Sequence, residues 1–321
     1  MTGAGGRPGV EDRGEVRAPG RGLDPAPVWR IRGGELTLDR PVVMGVLNVT
    51  PDSFFDGGRH LDPDDAVRRA RAMVEAGADL VDVGGESTRP GAEPVPAERE
   101  WERIGPVLER LADLPAPVSV DTTGAAVAER ALEAGAAVLN DVSGLRFSPE
   151  LAELAADAGA GLVLMHMRGN PRTMQEDTAY ADLVGEVRGF LAGALEEALA
   201  RGCDAEQVVL DPGIGFGKSA GGSLQLVARA GDFAVRGRPV MVGPSRKSFI
   251  GDTLGLPVDE RVEGTVAACV LALTRGARLF RVHDVLPARR ALDLAAAALA
   301  SERTPGAGSA PEVPAGTGGR R

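Results

Sequence analysis

Val208-Val209-Leu210-Asp211-Pro212-Gly213-Ile214-Gly215-Phe216-Gly217-Lys218 sets a short apolar run directly against an acid, a proline and three closely spaced glycines. A run this short and this apolar reads as a strand buried on both faces. The residues after it read as a loop whose backbone must turn sharply beside polar groups. Seven other stretches repeat the pattern. Residues 42–47 run into Asn48-Val49-Thr50-Pro51-Asp52-Ser53-Phe54-Phe55-Asp56-Gly57-Gly58, and 80–83 into Gly84-Gly85-Glu86-Ser87-Thr88-Arg89-Pro90-Gly91. Residues 117–120 lead to Asp121, 137–139 to Asn140-Asp141, and 161–165 to His166. Residues 240–242 precede Gly243-Pro244-Ser245-Arg246-Lys247-Ser248, and 278–282 precede His283-Asp284.

Amphipathic helical stretches separate these runs, among them 64–76, 98–111, 123–134, 180–201 and 262–275. Gly77, Gly135, Gly202 and Gly276 stand where helices commonly end. Strand–helix alternation predicts parallel strands joined by right-handed crossovers, and eight units predict a closed (β/α)8 TIM barrel. The catalytic face of such a barrel is built by the loops that follow the strands. Residues 29–38, with Gly33-Gly34 between two short runs, predict a hairpin closing the opposite end. Residues 1–27 and 302–321 are rich in Gly, Pro and Ala and are expected to be disordered tails around a barrel spanning 28–301.

Composition narrows the function classes. A chain of 321 residues suits one barrel of roughly 250 residues plus tails. Only 3% of residues are aromatic, so Val, Leu, Ile and Ala must fill the core. A net charge of −10 argues against a nucleic-acid partner. An anionic substrate must then be caught locally, by placed cations, backbone N–H groups or a metal. No apolar run approaches the roughly 20 residues a membrane span needs, and the start lacks an apolar signal core. Cys203 and Cys269 share no metal or redox spacing. These features predict a cytoplasmic enzyme, and they leave the Asn48-Val49-Thr50 sequon without meaning.

Lysine, histidine and asparagine are scarce. Of the 36 Lys and Arg residues only Lys218 and Lys247 are lysines; the histidines are His60, His166 and His283, and the asparagines Asn48, Asn140 and Asn170. Six of these eight sit at the strand ends just described. Each also has a structural reading. Asp121 could cap the next helix, Asp141 favours a structural role, Lys218 a solvated loop, and His166 is open between core and ligand. Lys247 and His283 follow apolar strands beside Arg246 and Arg281, and such a group of unpaired cations predicts a phosphate-like substrate. Two nucleotide motifs fail. Pro212 occupies the first glycine of a P-loop ending at Gly217-Lys218-Ser219, and Lys218 the third glycine of a dinucleotide fingerprint begun at Gly213.

Taken together, residues 48–54 with Asp56-Gly57-Gly58, then 84–91, 211–218, 245–248 and 281–284, resemble the dihydropteroate synthase family over about 41–284. The resemblance implies condensation of 4-aminobenzoate with 6-hydroxymethyl-7,8-dihydropterin diphosphate, releasing diphosphate and 7,8-dihydropteroate, in an enzyme that is a sulfonamide target. It implies that Asp211 and Asn140 bind the amino-pyrimidinone edge of the pterin and that Lys247 donates to its carbonyl and ring nitrogen. Asp121 would face the pterin ring where positive charge develops, with Asp56 approaching from the first loop. Asn48 would help hold Mg2+ on a diphosphate gripped by Arg281 and His283. Phe54, Thr88, Arg89, Pro90, Phe216 and Ser248 would shape the aminobenzoate pocket, and two mobile loops after the first two barrel strands would close over the developing cation and exclude water. A homodimer is also implied.

The chain departs from the family in Ser219-Ala220-Gly221-Gly222-Ser223 and in Pro244, neither of which touches an assigned role. Two other classes fit less of the sequence. A silent pterin-binding paralogue would carry a damaged Asn48 loop or aminobenzoate pocket. A methyltetrahydrofolate-binding methyltransferase barrel would have no use for diphosphate ligands or for Ser87-Thr88-Arg89-Pro90.

Overall fold

The computed structural model describes residues 28–50, 62–87, 89 and 91–302. The expectations placed on Phe54, Asp56, Thr88 and Pro90, on the closing loops and on the two tails fall wholly or mainly outside these residues.

Ten strands and nine α-helices are seen among the described residues. Strands β1 (Val28–Ile31) and β2 (Gly34–Thr37) form the antiparallel hairpin expected at the start. Eight strands follow: β3 (Val42–Asn48), β4 (Leu80–Gly84), β5 (Val118–Asp121), β6 (Val138–Asp141), β7 (Gly161–Met165), β8 (Val208–Asp211), β9 (Met241–Val242) and β10 (Leu279–Val282). Helices α1 (Pro63–Glu75), α2 (Ala97–Arg110), α3 (Ala125–Glu133), α4 (Glu150–Ala158) and α5 (Leu183–Ala200) alternate with the earlier strands. Helices α6 (Ala220–Ala228), α7 (Ser248–Leu254), α8 (Val262–Thr274) and α9 (Val285–Ser301) complete the outer layer.

The barrel strands are parallel in the order β8-β7-β6-β5-β4-β3-β10-β9, and a parallel bridge between Leu210 and Val240 brings β8 back to the start of β9. The expected (β/α)8 TIM barrel is therefore present. Gly77, Gly135, Gly202 and Gly276 all take positive φ just past their helices, as the sequence predicts.

Period-two alternation explains both layers of the core. Val43, Leu139, Leu162, Leu164, Leu210 and Phe280 point outward into one apolar cluster with the helices. Their neighbours Val42, Met44, Leu80, Val138, Val163, Val209 and Leu279 point inward and fill the barrel floor. The hairpin plugs that floor. Trp29 is fully buried there and donates its indole N–H to the Gln207 carbonyl at 2.8 Å. A side chain at Gly161 would meet the Trp29 ring at 3.0 Å, so a strand without a Cβ at this point lets the indole dock.

Two residues further along each inward-facing row the chemistry changes. Above Leu80 stands Asp82, above Val138 Asn140, above Val209 Asp211, and above Leu279 Arg281. The same periodicity that builds an apolar floor thus raises a charged layer at the strand C-terminal ends.

Candidate active site

Arg281 organises the charged layer. Its Nε donates to Asp82 Oδ2 at 2.7 Å and its Nη2 to Asp121 Oδ2 at 2.7 Å. Asp82 is fully buried, and its Oδ2 also accepts from Asn140 Nδ2 at 3.0 Å. A carboxylate can only accept, so this contact fixes the Asn140 amide with its NH2 toward Asp82 and its oxygen turned elsewhere. Asp121 is not a helix cap: the N-cap of α3 is Gly124, and the Asp121 carboxylate is committed to Arg281. Burial pushes Asp121 up to about 7, with Arg281 opposing and Asp82 adding to the rise. Two carboxylates share one guanidinium, and the second is incompletely compensated.

Asp211, at the tip of β8, is buried and accepts the Gly213 N–H on Oδ1 at 2.7 Å. Burial raises its pKa, opposed by Lys247 and by that N–H. Lys247 reaches the same space from the N-cap of α7; its ammonium donates to the Ile214 carbonyl at 2.5 Å and lies 4.3 Å from the centre of the Phe216 ring. Desolvation pulls Lys247 down to about 7, with Asp211 opposing and Arg281 reinforcing. Phe216 is buried with Val142, Met165, Met167 and Met174, an apolar wall over β6 to β8.

On the rim, His283 donates its backbone N–H to Ser245 Oγ at 3.1 Å, and its Nδ1 lies 2.9 Å from the same oxygen. Asn48 ends β3 opposite Gly84, which in turn pairs with Asp121. A Cβ at Gly84 would lie 3.5 Å from Asp121 Cβ and 3.9 Å from Asn48 Oδ1, in ordinary contact with both. The structure brings Asn48, Asp121, Asn140, Asp211, Phe216, Lys247, Arg281 and His283 to one end of the barrel. Arg89 and Ser248 are exposed at that end.

The chain is similar to proteins of known family over nearly the whole barrel. A family model described as pterin binding enzyme matches residues 44–283. The dihydropteroate synthase of Synechocystis is 49% identical over 248 residues, covering 77% of this chain and 86% of that protein. The crystal structure of Yersinia pestis dihydropteroate synthase with a sulfonamide drug complex superposes with a TM-score of 0.81 at 43% identity, covering 85% of this chain and 99% of that one. The Xanthomonas albilineans dihydropteroate synthase with 4-aminobenzoic acid gives 0.79 at 45%, covering 87% and 100%. The chain belongs to the pterin-binding enzymes, among the dihydropteroate synthases.

Several expectations for this dihydropteroate synthase need correction. The arginines near β9 and β10 are not unpaired. Arg246 is held by Asp284 through bonds of 2.7 and 2.5 Å, and Arg281 by two acids. Pairing with these carboxylates lets the two arginines coexist, and Arg281 still lowers the pKa of Lys247 and His283. Lys218 is not solvated; it is 3% exposed. Asp141 is structural as expected, accepting the Ser143 and Leu145 N–H groups at 2.8 and 2.5 Å.

The residue that sequence reasoning missed is Asp82. Its signal was present, a lone acid inside the run Leu80-Val81-Asp82-Val83, where only an inward position with a partner across the barrel is tolerable. Ser245, the partner of His283, was also passed over. Among the described residues no group of three or more His, Cys, Asp or Glu could hold a metal, and no helix is long and apolar enough to cross a membrane.

Proposed function

We propose that this strand-end layer is where the dihydropteroate synthase joins 4-aminobenzoate to 6-hydroxymethyl-7,8-dihydropterin diphosphate. The carrying observation is the convergence of Asp211, Asn140, Lys247 and Asp121 around the Arg281 guanidinium. The pterin edge presents adjacent N–H donors. Asp211 offers a buried carboxylate to them, and Asn140, with its NH2 held by Asp82, offers an acceptor oxygen. Lys247 supplies the donor for the pterin carbonyl and ring nitrogen. The flat ring would lie against the apolar wall of Phe216, Met165 and Met167.

Arg281 spends two of its five N–H groups on Asp82 and Asp121. The remainder, with His283, suit the oxygens of a diphosphate at the rim. As the methylene–oxygen bond of the pterin substrate breaks, its electron pair leaves with the diphosphate and positive charge spreads into the dihydropterin. Asp121 stands where that charge is stabilised, and Arg281 connects this acid to the leaving group. The aniline nitrogen of 4-aminobenzoate then forms the new bond and loses a proton. Arg89, Phe216 and Ser248, with Phe54, Thr88 and Pro90, are proposed to line the aminobenzoate pocket, and Asp56 to approach from the first loop. Exclusion of water by those loops would keep it from competing for the cation.

Mg2+ fits the donor set. Asn48 presents a neutral oxygen at the end of β3, and magnesium commonly keeps water and substrate phosphate as its other ligands, so no carboxylate cluster is needed. When bound it would offset charge growing on the diphosphate. We also infer a homodimer; exposed Leu254, Val258 and Leu271 around the packed helices α7 and α8 offer apolar area, and sedimentation would show the mass.

Purified protein with both substrates should release diphosphate only when 4-aminobenzoate is present, and EDTA should stop this until Mg2+ is restored. Asp211→Asn should retain the fold but weaken binding of 6-hydroxymethylpterin about 10- to 100-fold, the worth of a charge-assisted hydrogen bond. Wild-type pterin affinity in that variant would remove Asp211 from the site.

A further inference from the structure

His166 and Lys218 both lie among the scarce residues at the strand ends, and neither has a part in the chemistry above. They are partners of each other. Lys218 Nζ lies 2.8 Å from His166 Nδ1 and donates to the His166 carbonyl at 2.9 Å. Both are buried, Lys218 at 3% exposure and His166 at 7%. The His166 ring is further enclosed by Phe190, edge-on at 4.9 Å between centroids. Desolvation pushes His166 down to about 2 and Lys218 well below its ordinary value, so the imidazole is neutral and the two nitrogens share one hydrogen bond.

The backbone of His166 completes the arrangement. Its N–H donates to the Asp211 carbonyl at 3.0 Å. One residue at the end of β7 thus bonds both ends of the loop running from Asp211 to Lys218. Within that loop Gly213 takes φ +67, and a Cβ there would collide with the His166 carbonyl oxygen and lie 3.1 Å from Lys218 Nζ. The loop therefore closes against His166 with no room between. Three of its other carbonyls are bonded by side chains: Ile214 by Lys247 at 2.5 Å, Gly215 by Gln175 at 2.7 Å, and Gly217 by Tyr180 at 2.9 Å. The segment after β7, from His166 through Gln175 to Tyr180, forms the backing for the loop after β8.

We infer that His166 and Lys218 are a positioning pair that stretches the Asp211–Lys218 loop into the shape presenting the Asp211 carboxylate, the Phe216 ring and the Lys247 ammonium to the pterin. The inference rests on the proposed pterin site. Neither residue touches substrate in this scheme. Lys218 fixes the far end of the loop, His166 fixes both ends, and the acid at the near end is set by them. A lysine amine buried for this purpose is costly to the fold, because only His166 hydrogen-bonds it. The pair therefore trades stability for the geometry of the site.

The experiment compares Lys218→Met, His166→Leu and His166→Asn with wild type, using 6-hydroxymethylpterin in calorimetry, steady-state kinetics with both substrates, and thermal unfolding. Methionine keeps the apolar stem without the charge. Asparagine keeps an acceptor near the Nδ1 position, and leucine keeps bulk without one. Lys218→Met and His166→Leu should each raise the pterin Kd and the KM for the pterin diphosphate tenfold or more. The KM for 4-aminobenzoate should rise no more than about threefold, because Phe216 alone among its proposed lining residues lies on this loop, and Lys218→Met should unfold no earlier than wild type. His166→Asn should recover most of the affinity lost in His166→Leu, and the double variant Lys218→Met/His166→Leu should be no worse than the weaker single.

Pterin affinity within twofold of wild type in Lys218→Met would overturn the inference. So would equal losses for both substrates that track a fall in stability. If Lys218→Met does not fold, the His166→Leu and His166→Asn pair decides by whether the acceptor restores binding. Asp211→Asn separates the two levels. If it too binds pterin normally, the site itself is misplaced; if it alone loses affinity, only the positioning pair is refuted.

Discussion

Glu100 of α2 gives a prediction whose size follows from the structure. It is 3% exposed, its Oε1 has no hydrogen-bond partner, and it lies behind the second strand-end loop, where a Cβ on Gly85 would meet its Cγ at 3.0 Å. Burial raises its pKa from 4.5 to about 7, opposed by the Thr122 hydroxyl and reinforced by Glu86 and Asp121. A carboxyl with a raised folded-state pKa holds its proton more tightly folded than unfolded. Its contribution to stability is therefore present on the acid side and is lost as pH rises through the folded value. The shift of roughly 2.5 pH units corresponds to about 3 kcal/mol, and most of it falls between pH 5 and 8. Glu100→Gln is nearly isosteric with the protonated acid and does not titrate. Its stability relative to wild type should rise by about 2–3 kcal/mol from pH 5 to pH 8, close to zero at the acid end. Urea unfolding followed by far-UV circular dichroism at several pH values would measure this, and a thermal midpoint gain of roughly 5 °C at pH 8 should accompany it. A difference between the two proteins that is flat with pH, or that grows toward acid, would refute the reasoning.

In the proposed scheme Asp121 is ionised to stabilise a cation and Lys247 is protonated to donate, yet burial moves both toward about 7. The profile of kcat/KM for the pterin substrate should therefore be a narrow bell centred near neutrality, with limbs belonging to the coupled pair. Initial rates from pH 5.5 to 9 would test it, and Asp121→Asn should remove the acid limb while lowering the maximum. Trp29→Ala should destabilise the fold by about 3–5 kcal/mol while leaving pterin affinity unchanged, because the indole plugs the end of the barrel opposite the site. Altered pterin binding in the folded variant would show that floor and site are coupled.

The fold was legible because its signals are local. Short apolar runs, helices ending at glycines and the Gly33 turn each follow from neighbouring residues, and eight repetitions close a barrel by geometry. Much of the candidate site was legible for a related reason: Asn140, Asp211 and Lys247 stand at or just past strand ends that the repeat itself marks. Even Asp82 was within reach, as an acid in an apolar strand with a period-two neighbour on the floor. The residues alone left open which groups face each other across the barrel. Arg246 and Arg281 looked like unpaired cations because their partners Asp284, Asp82 and Asp121 come from other positions along the chain, the last two from separate strands.

The loop after β8, where an apolar run meets Asp211 and three glycines, shows the same division. Neighbouring residues alone show that a strand ends there, that the backbone must then turn tightly, and that an acid stands at the tip. Tertiary structure decided what the glycines make room for. The carbonyl of His166, from a strand more than forty residues earlier in the chain, fills the space a side chain at Gly213 would need, and Lys218 bonds to it. Pairings of that kind are set by barrel closure, which places distant strand ends side by side and leaves no periodic trace in the chain.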